Sequence, residues 1–253
     1  RRRVVRLEAA PLEGAGGERL GAVAYIADIT DERRVEAMRR DFVANVGHEL
    51  KTPLGALVVL AETLSAQAGD AAVTARLSAR LETEAHRLAR LLDDMLDLSQ
   101  AETAVFPGTP VDLAAVVAEV ADAAGTVAEE RGVRLVVAGV PSGAVVAGDE
   151  RQLRTMLGNL IDNAVKYSDP DPGRPTPRVQ VAVRLEQDEV VIEVRDEGIG
   201  IPEAHLARIF ERFYRVDRAR SRATGGTGLG LSIVRHVALN HGGDVAVWPR
   251  FGR

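Results

Sequence analysis

The sequence predicts two unlike units in tandem: an α-helical hairpin that dimerises into a four-helix bundle, then an α+β sandwich. Three observations carry this expectation. Apolar residues recur every three or four positions from Met38 to Leu64 and again from Leu77 to Leu98. Two helices alone bury little, so a second copy is the natural source of the missing core. After the break "VFPGTP" at 105–110, the pattern changes to alternating helical and strand-like runs.

In chain order, "VVRLE" at 4–8 and "RLGAVAYIA" at 19–27 are strand-like and flank a Gly-rich turn, as in a hairpin cut from a larger sheet. Thr30 is placed to cap the first long helix, with Asp31 and Glu32 in its positive first turn. Met38, Phe42, Val46, Leu50, Leu54, Leu57, Ala61 and Leu64 make that helix's apolar stripe. "AQAGDAA" at 66–72 is a turn, and Leu77, Leu81, Leu88, Leu92, Met95 and Leu98 line the second helix. Beyond the break follow a helix near 112–130, the strand "VRLVVA" and a helix over 150–168. Strands at 178–186 and 189–196 come next, then a helix and a loop, a helix over 229–240 and the strand "DVAVW". "DPDPGRPTP" at 169–177 is a loop between helix and strand. This divides the chain at 1–30, 31–104 and 105–253.

With 46% hydrophobic and 27% charged residues, the 253-residue chain has the balance of a soluble globular protein. It has no cysteine, which excludes disulfide frameworks, iron–sulfur clusters and thiolate zinc sites. A net charge of -5 argues against nucleic acid as the partner. No apolar run approaches the roughly 18 residues of a membrane span. The chain opens without Met and in mid-pattern. It is therefore expected to be the cytoplasmic portion of a longer protein, any anchor in the bacterial inner membrane lying upstream.

Five stretches carry chemistry. "NVGHELKTP" at 45–53 puts His48 beside Glu49. The zinc pattern H-E-x-x-H fails because Thr52 stands at the second ligand position. At about 100° per residue, His48 lies about 200° from Val46 and from Leu50, so it points away from the apolar stripe, and Thr52 shares its face. Pro53 removes a helix hydrogen bond one turn on and favours a bend. An exposed His with a neighbouring carboxylate suits a nucleophile whose proton can be accepted. Taken alone, the same pair is a solvated surface pair.

In "LGNLIDNAVKYS" at 157–168, Asn159, Asn163 and Lys166 fall within about 60° on one helix. Amide oxygens are neutral hard ligands for Mg2+ held against phosphates, and the Lys ammonium suits the same anion. The alternative is an ordinary amphipathic surface. "VRDEGIGIP" at 194–202 ends a strand with Asp196, which can accept from a purine amino group. Gly198 and Gly200 allow close backbone approach to a flat ligand or serve the turn alone. "GGTGLGLSIV" at 225–234 runs a glycine-rich loop into a helix, where N–H groups hold phosphate, but it matches neither the P-loop nor G-x-G-x-x-G after a strand. "IFERFYRVDRARSRATGG" reads as a flap or a solvated loop, with Arg215 and Arg222 as candidates to meet phosphate.

In this order and spacing the five stretches resemble the sensor histidine kinases of two-component systems. "FVANVGHELKTPL" resembles the phosphoacceptor motif and "LGNLIDNAVKYS" the Asn motif. "DEGIGIP" and "GGTGLGLSIV" resemble the two glycine motifs, with "IFERFYR" as the Phe motif between them. The resemblance covers about 31–248, and Gly47 departs from the family's usual small polar residue before the histidine. "ADITDERR" resembles the end of a PAS sensor domain, which makes 1–30 the remnant of a PAS β-sheet. "FVANVGHELKTP" is similar to phosphate-responsive members in particular.

The resemblance implies ATP and Mg2+ as cofactors and a GHKL-type ATPase fold for 105–253. It implies a homodimer and a response regulator receiver domain as partner. His48 would take the phosphoryl group, Glu49 would accept its proton, and Thr52 would place water for dephosphorylation of the regulator. Asn159 and Asn163 would hold Mg2+, Lys166 would meet phosphate, Tyr167 would pack near the base and Asp196 would read adenine. Gly226, Thr227, Gly228, Leu229 and Gly230 would shape the lid and cradle phosphates. His86, His205 and His236 have no motif partners, and His241 before two glycines ends a helix. Two rivals remain: a GHKL-type ATPase of another class, and a catalytically weak dimeric scaffold. The second rests on the expectation that the ATPase domain lacks its last strand.

Overall fold

The computed structural model describes residues 3–13, 15–16, 19–67, 70–103, 108–168, 170, 175–187, 189–217 and 225–248. Residues 105–107 of the predicted boundary, most of the 169–177 loop, Arg222 and the side chain of Met38 lie outside the described residues.

Strands β1 (Val5–Glu13) and β2 (Arg19–Asp28) pair antiparallel, Val5 opposite Asp28. Helix α1 (Thr30–Ala66) follows at once. Thr30 is its first residue and not its cap: no side chain caps this end, where Ile29 stands. The Thr30 hydroxyl is committed elsewhere. It donates to Asp28 Oδ1 at 2.5 Å and accepts from Val4 N at 2.9 Å, tying the hairpin to the helix. These Thr30 donors hold the Asp28 carboxyl below its usual value. Asp31 and Glu32 do occupy the first turn. α1 runs on through the buried Pro53, and α2 (Ala71–Thr103) returns along it. Asp70 caps α2, its Oδ1 accepting from Ala72 N at 2.9 Å and Val73 N at 3.1 Å.

In the hairpin stripe, Leu60, Leu77, Leu91 and Leu98 are buried, the last two as part of the core they share with the sandwich. Leu54 and Leu92, expected in it, are exposed, as are Val43, Val58 and Leu96. The single predicted stripe merged two. On α1, Val43, Leu54 and Val58 lie roughly a quarter-turn from the seam, so they face away from α2. That leaves a second apolar face uncovered on the single chain.

Short β3 (Thr109–Asp112) and β5 (Val145–Gly148) pair antiparallel. The larger sheet runs β4 (Arg134–Val137), β6 (Arg178–Glu186), β7 (Glu189–Asp196), with β4 parallel and β7 antiparallel to β6. Val179, Val181 and Val183 of β6 are buried at the strand period of two. Helices α3 (Leu113–Glu130), α4 (Glu150–Lys166) and α6 (Gly230–Asn240) supply Leu113, Val117, Leu157, Ile161, Ile233 and Val234 to the same core. A single turn, α5 (Glu203–Leu206), follows β7. Asp112 caps α3 through Ala114 N at 2.9 Å, and Asp149 caps α4 through Gln152 N at 3.1 Å. Leu91, Leu98 and Ala101 of α2 belong to this core as well, so the helical stem and the sandwich are packed together.

The predicted strand "DVAVW" is not one. Residues 243–248 carry no ladder among the described residues. A strand exists only by pairing, and here Val245 N turns to Asp244 Oδ1 at 2.8 Å. The end of α6 is as expected: Gly242 takes φ +71° and Gly243 N returns to Ala238 O at 2.9 Å.

Candidate functional site

α4 brings Asn159, Asn163 and Lys166, all half-buried, to the face it turns toward the glycine motifs. Asn159 Nδ2 donates to Thr155 O at 3.0 Å, and its Oδ1 faces Gly230, where an added Cβ would collide with it. Lys166 is paired with Asp162, one turn back. Asn163 is thus the less committed of the two asparagines.

The first glycine motif folds against the end of α4. Tyr167 O accepts from Ile199 N at 3.1 Å. A Cβ at Gly198 would overlap that carbonyl oxygen and sit 2.8 Å from both its carbon and Asp196 Oδ1. Gly198 N donates to Asp196 Oδ1 at 2.9 Å, which fixes the aspartate at the strand end with its outer edge exposed. Gly200 has φ +71°.

The second glycine motif is strapped to the Phe motif. Phe213 N donates to Gly228 O at 2.8 Å, and at Gly228, φ +78°, a Cβ would meet the Phe213 backbone at 2.9 Å. Phe213 itself takes φ +61°, a left-handed value few non-glycine residues adopt. Its ring lies 5.9 Å from that of Phe42 on α1.

This strap carries Arg215 to α1. Arg215 Nη2 donates to Glu49 Oε2 at 3.0 Å and to Thr227 O at 2.8 Å. Its side chain is 8% exposed, that of Glu49 25%. Arg215 Nε is buried with no partner among the described residues, so the guanidinium has donor capacity left for an anion. A cavity of about 10 Å3 lies here, lined by Glu49, Pro53, Arg87, Arg215, Gly226 and Thr227. His48 is exposed on the adjoining face of α1, as its helical phase predicts. Thr52 Oγ1 donates to His48 O at 3.3 Å, so it sits one turn on as expected but spends its proton on the backbone. Another cavity, of about 260 Å3, lies between α2 and α4, bordered by Asp97, Asp149 and Arg151. Of the five motif stretches only Ile233 borders it, and none of the candidate site residues does.

Sequence reasoning missed the part played by α2. Thr227 Oγ1 donates to Asp94 Oδ2 at 2.5 Å, Arg212 pairs with Glu102 at 2.5 Å, and Asn240 Nδ2 donates to Ala101 O at 2.5 Å. Arg151 lies 3.6 Å from Asp97. Burial pushes both the Asp94 and the Asp97 carboxyls up, Thr227 and Arg151 respectively opposing it. The one available signal was Asp94 itself, a carboxylate in the angular sector of Leu91, Leu98 and Ala101. Of the remaining histidines, His86 is exposed beside Glu82, whereas His205 and His236, expected to have no motif partners, meet Tyr214 and Arg212 of the Phe motif. His241 accepts from Asp149 N at 3.1 Å, its other ring nitrogen lies 2.7 Å from Val237 O, and His205 meets Tyr214 Oη at 2.5 Å.

The arrangement suits Mg2+ with a nucleotide. Among the described residues no group of three His, Cys, Asp or Glu could hold a metal by itself. A Mg2+ ion carried by substrate phosphates needs only one or two protein oxygens, which Asn163 and Asn159 can offer.

Comparison with known proteins agrees with this reading. The family profile of the His Kinase A (phospho-acceptor) domain matches residues 38–104. That of the histidine kinase-, DNA gyrase B-, and HSP90-like ATPase matches 148–253. The chain is 44% identical over 237 residues to the sensor-like histidine kinase SenX3 of Mycolicibacterium smegmatis, covering 93% of this chain and 60% of that protein. It is 39% identical over 221 residues to the phosphate regulon sensor protein PhoR of Pseudomonas aeruginosa, covering 85% and 48%. The chain therefore spans about half to three-fifths of these relatives. Its fold is similar to that of the histidine kinase ThkA, solved in complex with the response regulator protein TrrA. The TM-score is 0.64 at 19% identity, over 94% of this chain and 68% of that one.

Proposed function

We propose that the chain is a histidine kinase of two-component systems, which transfers the γ-phosphoryl group of ATP to His48 and then to an aspartate on a response regulator's receiver domain. One observation carries the assignment to this chain's own residues. Arg215 holds Glu49, the neighbour of His48, and the carbonyl of Thr227 in the glycine loop, so the histidine helix and the nucleotide motifs meet at one side chain.

In the first step a nitrogen of neutral His48 attacks the γ-phosphorus. The N–P bond forms, the bond to the bridging oxygen breaks and ADP leaves. The imidazole proton passes to Glu49, which must first exchange Arg215 for His48. Asp196 accepts from the adenine amino group, with Gly198 and Gly200 letting the base lie against the backbone and Tyr167 beside it. Lys166 and Arg215 neutralise phosphate charge, and the loop from Gly226 to Gly230 closes over it. Mg2+, held through Asn163 and Asn159 and by the phosphates, would supply the remaining charge neutralisation. Thr52, one turn from His48, is placed to orient water for dephosphorylation of the regulator.

The uncovered apolar face of Val43, Leu54, Val58, Leu92 and Leu96 supports a homodimer closed as a four-helix bundle. Likeness to PhoR and the stretch "FVANVGHELKTP" support membership of the phosphate-responsive group. The exposed β1–β2 hairpin supports 1–30 as the end of a PAS domain, with phosphotransfer in 31–104 and nucleotide binding in 105–253. Among the described residues no helix is long and apolar enough to cross a membrane; anchoring would come from upstream segments.

The phosphoacceptor hairpin speaks against a GHKL-type ATPase of another class. A dimeric scaffold is separated by experiment. Incubation with γ-labelled ATP and Mg2+ should label the chain, and Asn163→Asp should abolish the label. A label indifferent to Asn163→Asp, or a parent that takes none, would reject the proposal.

A further inference from the structure

Asp94 is a carboxylate set into the apolar seam of α2, flanked by Leu91 and Leu98. Its Oδ2 accepts the Thr227 hydroxyl proton at 2.5 Å, while that hydroxyl accepts from Leu229 N at 3.3 Å. Lys166 stands near enough to act on its charge. Arg90, one turn before Asp94, lays its guanidinium against Gly225, where a Cβ would lie 2.8 Å away. The glycine loop is thus covered by α2, and its side-chain donor is spent on a carboxylate. Glu49 takes Arg215 in the same way from α1.

The donors so engaged are those a phosphate chain seeks: a hydroxyl at a helix start, a guanidinium and a nearby ammonium. Thr227 has one hydroxyl proton, so it cannot serve Asp94 and a phosphate oxygen together. Resting on the reading of this loop as phosphate-binding, we propose that Asp94 is an internal anion that competes with the nucleotide's phosphates for Thr227 and Lys166, so that ATP binding releases the loop from α2. Burial already disfavours the ionised Asp94, its largest perturbation, so it is a weak holder that a multiply charged phosphate with its cation displaces. By linkage, whatever moves α2 away from the loop tightens ATP binding to the same degree.

The contact differs in kind from the other links between α2 and the sandwich. Arg212–Glu102 and Arg151–Asp97 involve no residue of the glycine loop. They hold the two units together without distinguishing a phosphate from a bare nucleoside.

Calorimetric titration of the chain with Mg2+-ATP and, separately, with adenosine tests this. Asp94→Asn and, as a second variant, Asp94→Ser should bind Mg2+-ATP about five-fold tighter or more than the parent, with adenosine affinity unchanged. Glu102→Gln, which removes one carboxylate charge from the same helix, should leave the ratio of the two affinities as in the parent. Unchanged ATP affinity in both Asp94 variants, an equal gain for adenosine, or the same selective gain in Glu102→Gln would overturn the inference while leaving the site assignment standing. If neither parent nor variants bind Mg2+-ATP, the assignment of the loop itself falls, and the inference with it.

Discussion

Gly198→Ala tests the geometry of the nucleotide site through one methyl group. The new Cβ would overlap the Tyr167 carbonyl oxygen and lie 2.8 Å from its carbon and from Asp196 Oδ1, all inside the 3.0 Å that real Cβ atoms respect. Two of these three atoms are backbone, so no side-chain rotation relieves the clash. The loop must move off α4 and surrender the Ile199 N to Tyr167 O bond. Overpacking costs about 1–3 kcal/mol and the lost hydrogen bond about 1 kcal/mol, together roughly 2–4 kcal/mol. At about 2–4 °C per kcal/mol, Tm should fall by roughly 5–15 °C. Because Asp196 and Gly200 move with the loop, ATP binding should weaken roughly ten- to hundred-fold. Gly158→Ala is the control: a Cβ there meets nothing within 4 Å inside α4, so helix propensity should stabilise the chain by up to about 1 kcal/mol. The assays are urea unfolding, a thermal scan and nucleotide titration. A Gly198→Ala chain as stable and as competent in binding as its parent would refute the packing of this loop on α4.

Three further outcomes are expected. Asp149→Ala removes the cap of α4 at Gln152 N and should cost about 1 kcal/mol, read as a lower urea midpoint at unchanged m. Arg215→Met strands Glu49 and the Thr227 carbonyl. The cost should be about 1–3 kcal/mol, below the value for a fully buried pair because a quarter of Glu49 stays in solvent, and it should appear as faster amide exchange at residues 225–229. Asp94→Asn should be more stable than the parent at neutral pH. Burial raises the folded-state pKa of Asp94 above 3.8, against Thr227 and Lys166 and with Asp97 and Asp162. Its contribution is thus present below that value and lost as pH rises through the raised one. The advantage of the variant should shrink as pH falls through this range, and unfolding at several pH values checks it.

What the sequence made legible was local. The long helices, the hairpin strands at 178–186 and 189–196 and the outward phase of His48 follow from periodicity within a short window, and each has its place in the structure. β3 and β5 escaped because four residues carry no usable alternation and their pairing, Thr109 with Gly148, is set by the fold between them. Thr30 was misread because a hydroxyl before acidic residues caps a helix only if no nearer partner takes it, and Asp28 does. The motif residues of α4 and the glycine loops are brought together, yet the links that decide their present arrangement were hidden. Glu49 meets Arg215 across 166 positions and Asp94 meets Thr227 across 133. No spacing rule reaches that far, and only the shared core of α2 and the sandwich makes those neighbours.

The central claim is that His48 is the residue that receives phosphate. It is tested most directly by labelling the chain with γ-labelled ATP and Mg2+ beside His48→Gln, an exposed substitution that spares every nucleotide contact. The account predicts a label that acid removes and base leaves, characteristic of phosphohistidine, present in the parent and absent from the variant, while both bind ATP alike. Undiminished label in His48→Gln, or an acid-stable label on a hydroxyl side chain, would contradict it.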